Sequence, residues 1–166
     1  MGALAEKLDN MVAAANSPDQ KISAKVSQRS KITLKFSPGS YETYSQGSLE
    51  HQLARLAELT WIKWQRGYEE ALHSRNMRVM KPELAKDEAT RKFLENRLDI
   101  ESFGESDDGF VRVKTRGLRQ WKVKIKPDIL PELDEETFSR SCMKAVATVI
   151  ADYNQKNEAY KKELYL

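Results

Sequence analysis

The stretch FVRVKTRGLRQWKVKIK, residues 110–126, alternates apolar and basic residues on both sides of a glycine. Val111 and Val113 alternate with Arg112 and Lys114. After Gly117, Trp121, Val123 and Ile125 alternate with Lys122, Lys124 and Lys126. Successive side chains of a strand point to opposite faces, so the pattern predicts a hairpin with one apolar and one basic face. Gly117 lies near the turn, and Pro127 ends the run.

Working outward, Ile100 to Ser106 reads as a strand before this hairpin. On its other side, Asp134 is a plausible helix N-cap, followed by Glu135 and Glu136 at the positive helix start. Phe138, Cys142, Ala145, Val146, Val149, Ile150 and Tyr153 line one helical face. The charged tail 154–166 is expected to fray or to pack late.

A similar cycle precedes it. Ile22, Ala24 and Val26 share one strand face, and Ile32, Leu34 and Phe36 share a face on the return strand, with Lys25, Lys31 and Lys35 opposite. Ser27 to Ser30 is short enough for a hairpin connection. Pro38-Gly39 ends the sheet segment, and Ser48 can cap a helix to about Leu72. Its apolar positions include Leu49, Leu53, Leu56, Trp61, Trp64 and Tyr68. Residues 3–15 read as a short amphipathic helix through Leu4, Leu8, Met11, Val12 and Ala15, stopped by Asn16-Ser17-Pro18. Pro82 suits a first helical residue, and Leu84, Ala85, Ala89, Phe93 and Leu98 make a third helix. No opening strand is evident in this first cycle.

The two cycles align at an offset of 89. Phe36 meets Ile125, Pro38 meets Pro127, Tyr41 meets Leu130, Leu49 meets Phe138, Leu53 meets Cys142 and Trp64 meets Tyr153. The match runs without a gap from the return strand through the helix. It predicts an internal duplication, with units at residues 1–75 and 76–166. Two copies make a pseudo-dimer, not a solenoid.

Composition bounds the class. The 166 residues suit one domain or two closely packed halves, and 40% hydrophobic residues suffice for a core. No apolar run reaches membrane-spanning length, and Glu6, Lys7 and Asp9 interrupt any signal-peptide core. The single cysteine, Cys142, cannot form an internal disulfide, which points to a reducing, cytoplasmic compartment. The net charge of +3 is modest. Its distribution is not: 21–36 holds Lys21, Lys25, Arg29, Lys31 and Lys35, and 110–126 holds Arg112, Lys114, Arg116, Arg119, Lys122, Lys124 and Lys126, with no acid in either. The rest of the chain carries 16 basic residues against 25 acidic.

The second cycle resembles the YbaB/EbfC family of nucleoid-associated proteins. The residues that carry the likeness are Ile100-Glu101, Gly104-Glu105-Ser106, Gly109-Phe110-Val111-Arg112-Val113, Gly117, Lys122-Val123-Lys124-Ile125, Pro127 and Leu130, over about residues 93–162. The resemblance implies an α+β fold: helix, three-stranded antiparallel meander, long helix. With the repeat, it implies two such units forming an intrachain pseudo-dimer, either monomeric or homodimeric. It also implies sequence-tolerant binding of duplex DNA without enzymatic activity. The sequence lacks the family's Gly/Pro/Met-rich tail, and its first half has lost the glycine pattern.

The candidate nucleic-acid contacts are Arg112, Lys114, Arg116, Arg119, Lys122, Lys124, Lys126, Lys25, Lys31 and Lys35. A basic sheet face can lie along phosphates and gives salt-dependent binding. The alternative is that these side chains only solvate the sheet and blunt its edges. The pI of 8.9 sits just below the usual nucleic-acid footprint of about 9. The acids at 105–108 and 132–136 would repel phosphate.

Trp61, Trp64 and Tyr68 at helical spacing suit core packing or a partner interface better than a base-stacking platform. His51 and His73 are too far apart to share a metal, Cys142 has no catalytic partner pattern, and no phosphate-binding glycine loop is present. No cofactor or metal is expected. The rival reading is a protein-interaction module or an accessory, chaperone-like factor, such as one tied to secretion, with a protein partner in place of DNA.

Overall fold

In a computed structural model of the chain, residues 2–28 and 31–165 are described. They form α1 (Gly2–Asp9), β1 (Ala13–Asn16), β2 (Ile22–Ser27), β3 (Lys31–Phe36), α2 (Gln46–His73), α3 (Glu88–Asn96), β4 (Glu101–Glu105), β5 (Val111–Arg116), β6 (Gln120–Ile125) and α4 (Glu135–Tyr165). Single 3-10 turns follow each sheet at Tyr41–Thr43 and Leu130–Glu132. The protein is thus α+β. Its strands make two antiparallel meanders, ordered β1-β2-β3 and β4-β5-β6.

The offset of 89 holds in the strand registers. Ile22 pairs with Phe36 as Val111 pairs with Ile125, and Ala13 pairs with Val26 as Ser102 pairs with Thr115. Left-handed backbone recurs at the same spacing: Gln20 and Gly109, Gln28 and Gly117, Gly39 and Asp128. The β2–β3 connection expected at Ser27 to Ser30 lies partly outside the described residues, and Arg29 lies wholly outside them.

The helices are exchanged between the sheets. Helix α2 packs on β1 and β2 of its own sheet and on β6 of the other. Helix α4 packs on β4 and β5 and on β3 of the first sheet. One buried cluster therefore draws on both halves, from Ala15 and Ile22 to Ala145 and Val149. Phe36 of β3 and Tyr41 meet Phe138 of α4 at ring-centroid distances of 6.2 and 5.5 Å. The Tyr41 hydroxyl donates to the carbonyls of Leu133 and Leu130 at 3.1 and 3.4 Å.

Several expectations are corrected. The helix expected over 3–15 ends at Asp9, and the rest is the opening strand β1. Alanines favour helix, but Ala13 and Ala15 are buried while Ala14 and Asn16 are exposed, a period of two. The backbone partners of β2 and the cover of α2 override local propensity. The positions must be small because a helix lies against them. At the equivalent Gly104, an added Cβ would stand 2.3 Å from the Ala145 carbonyl oxygen.

Helix α2 is capped by Ser45, not Ser48: the Ser45 side chain accepts the Ser48 N–H at 3.3 Å. Pro82 opens a separate 3-10 turn, and α3 starts after its cap Asp87. The C-terminal segment is helical and packed as far as Tyr165. Helix α4 runs to Tyr165, held by α3 through the Phe93–Tyr160 stack at 6.2 Å and the Asn96–Tyr160 hydrogen bond.

Candidate nucleic-acid interface and an apolar cavity

The outer face of the second sheet is built in rows by the register. Glu105, Arg112 and Lys124 form one row, Phe103, Lys114 and Lys122 the next, Glu101, Arg116 and Gln120 the last. All nine side chains are exposed, because their neighbours along each strand point inward. The basic residues of β5 and β6 thus share one face, as their spacing predicts. Strand β4 and the turn before it, however, set acids beside them. Arg112 reaches Glu105 at 3.4 Å, Lys114 reaches Glu101 at 3.8 Å, and Arg116 reaches Asp99 at 2.9 Å. Lys114 also lies 5.6 Å from the Phe103 ring centroid.

Lys122 and Lys124 stand one column further out, on edge strand β6, and form no ion pair among the described residues. Lys122 is directly opposite Lys114 and Lys124 directly opposite Arg112. Like charges so placed repel, and a polyanion would relieve the repulsion. Lys126 lies over the Phe110 ring at 5.6 Å, and the Arg119 guanidinium donates to the Leu98 carbonyl at 3.4 Å. On the first sheet, Lys25, Lys31 and Lys35 are exposed and also unpaired with acids among the described residues. Strand β1 contributes Ala14 and Asn16 where β4 has Phe103 and Glu105, so β1 sets no acid beside that group.

The edge of β6 is sealed from α2. Glu50 accepts the Ile125 N–H at 2.7 Å, Glu58 accepts the Trp121 N–H at 3.2 Å, and Gln46 donates to the Ile125 carbonyl at 3.1 Å. Spacings of four and eight residues put these side chains on one helix face. They hold edge groups that would otherwise recruit another strand. The sequence signal for these contacts is three polar residues, Gln46, Glu50 and Glu58, that interrupt the inner side of an amphipathic helix.

Between the sheets and the long helices lies a cavity of about 540 Å³. Trp61 and Trp64 are half-buried in its wall, whereas Tyr68 is exposed and lies off it. Trp64, expected in the core, is therefore a wall residue. Cys142, also in the wall, is buried, and burial with nearby Asp108 pushes its thiol well above the ordinary value. It stays a protonated, small apolar group. Burial likewise raises the Tyr153 phenol, against the opposing pull of Arg97 and Arg119. No cluster of three or more metal-ligating side chains occurs among the described residues. No helix there is long and apolar enough to cross a membrane.

Comparison with protein-family models gives no match, and neither does comparison with curated proteins.

Proposed function

We propose that this chain is a YbaB-like intrachain pseudo-dimer that binds duplex DNA with little sequence preference, without enzymatic activity. The carrying observation is the column of Lys122 and Lys124, unpaired with acids and set opposite Lys114 and Arg112. The repeat of roughly 6.6–6.8 Å over two strand residues is close to four times the roughly 1.7 Å axial charge spacing of a duplex counted over both strands, about twice the spacing along one strand, so lysines two residues apart can each meet a phosphate. Lys25, Lys31 and Lys35 supply a second basic group on the first sheet. The shared registers and exchanged helices support the pseudo-dimer, with units at 1–75 and 76–166. A cytoplasmic location goes with this reading.

The test is a mobility shift with a duplex at about 50 mM and about 200 mM salt. Binding should weaken steeply between the two, and the triple reversal Lys122→Glu, Lys124→Glu, Lys126→Glu should abolish it. Absence of binding at the lower salt, or binding untouched by the reversal, rejects the DNA reading.

A second reading is favoured by the pairing of Arg112, Lys114 and Arg116 with Glu105, Glu101 and Asp99. Acids along β4 would repel phosphate while suiting a protein partner of mixed charge. Ile62 and Tyr68 leave apolar surface exposed on α2 for such a partner.

A further inference from the structure

All three tryptophans of the chain, Trp61, Trp64 and Trp121, stand in the wall of the cavity between the sheets and long helices. No Asp, Glu, Lys, Arg or His lines it. Two of its polar groups are already engaged within the protein: the Thr60 hydroxyl donates to the Leu56 carbonyl at 2.7 Å, and the Trp121 indole to the Leu118 carbonyl at 2.8 Å. The Trp61 indole N–H is buried without a partner, but the rest of the wall is mostly apolar, so an ordered water would find few of the two to four polar partners it needs. The volume of about 540 Å³ falls within the range of small-molecule sites.

Among the lining residues only Ala147, Ala151 and Asn154 are exposed, and they form one stripe along α4 where the site meets solvent. The other walls are buried or half-buried and come from both sheets and both long helices. The volume they enclose is that of a small-molecule site.

We propose that this cavity is a binding site for one uncharged apolar small molecule, aliphatic or aromatic. The absence of charge in the wall rejects ionised ligands, since a buried charge needs a partner. The site draws on equivalent positions of the two halves, such as Leu53 and Cys142 or Trp64 and Tyr153, so it exists only in the assembled chain. It is independent of the outer basic faces and does not rest on DNA binding.

The test uses the full chain and the uncharged dye N-phenylnaphthylamine. Dye emission should rise saturably at one site per chain, tryptophan emission should fall in parallel, and decanol should reverse both. Ala57→Leu fills the wall and Ala147→Phe closes the mouth at an exposed position. Each should weaken dye binding by about tenfold or more, with the far-ultraviolet dichroism of the parent. Non-saturable dye uptake, unchanged tryptophan emission at saturation, or parent-like affinity in either folded variant overturns the proposal.

Discussion

Asp19 and Asp108, 89 positions apart, close the same loop with the same hydrogen bonds. Asp19 Oδ1 accepts from the Ser17 hydroxyl at 2.6 Å and the Lys21 N–H at 3.1 Å. Asp108 Oδ1 accepts from the Ser106 hydroxyl at 2.5 Å and the Phe110 N–H at 3.0 Å. Ser17 and Ser106 in turn each accept the N–H of the residue opening the next strand, Ile22 or Val111, at 3.0 Å. The outer partners differ: the Asp19 N–H also donates to Gln52 Oε1 at 3.1 Å, and the second carboxylate oxygens take different donors. Tyr44 donates to one at 2.6 Å, Ser141 to the other at 2.5 Å. Identical loops with different outer partners are what two copies under different packing would retain.

Acid should loosen both loops. Burial alone would raise the Asp19 carboxyl, but hydrogen bonds from Ser17, Tyr44 and the Lys21 N–H outweigh it and hold it below the ordinary carboxylate value. Asp108 is lowered in the same way, with burial opposed by Ser106, Ser141 and the Phe110 N–H. A lowered folded pKa contributes stability that is present above the unfolded value and is lost as pH falls through the folded one. At neutral pH, Asp19→Asn should cost about 1–3 kcal/mol in urea unfolding. The gap to the parent should shrink below about pH 4. A gap of constant size down to about pH 3 would refute this assignment.

Gly104→Ala should be far worse than its counterpart Ala15→Gly. The new Cβ at 104 would lie 2.3 Å from the Ala145 carbonyl oxygen and 2.4 Å from the Val149 nitrogen, both backbone atoms of α4. The helix would have to move, at about 3 kcal/mol. Ala15→Gly only loosens a strand, at about 0.5–1 kcal/mol. Thermal melts of the pair decide it, and equal losses would mean that α4 does not press on β4.

Thr115→Val should stabilise the protein. The Thr115 and Ser102 hydroxyls are buried, face each other across β4 and β5, and have no hydrogen-bond partner. The equivalent of Thr115 in the first sheet is Val26. Removing an unsatisfied buried hydroxyl at constant shape is worth about 1 kcal/mol. A fall in melting temperature would show that the hydroxyl is satisfied.

Glu50→Ala should open the edge of β6. The Ile125 N–H would lose its acceptor at 2.7 Å, and its amide should exchange with solvent faster, while the Val111 amide, bonded to Ser106, should not. Stability should drop by about 1–3 kcal/mol. Unchanged exchange at Ile125 would mean that the carboxylate does not hold that edge.

Much of the fold was legible because period-two alternation is a local property. Val111 to Lys114 and Trp121 to Lys126 alternate apolar and basic residues, and both strands and their faces followed from it. The gapless correspondence at an offset of 89 could be read for the same reason, since it rests on the spacing of apolar positions along the chain. Strand β1 could not: Ala13, Ala14 and Ala15 carry no alternation in type, only in burial. The candidate contacts Lys122 and Lys124 were legible as exposed charges, but their neighbours were not. Glu101 and Glu105 lie outside the basic stretch in sequence and join its face only through strand pairing.

The sequence by itself determined the element types other than β1, the basic outer faces and the spacing of 89 between the halves, because each depends on side chains near one another in the chain. Tertiary structure alone decided which helix covers which edge. It set Glu50 and Glu58 of α2 on β6, laid α4 against Gly104, and enclosed the cavity between residues of both halves. Those contacts join positions dozens of residues apart, and they form only where packing brings the two units together.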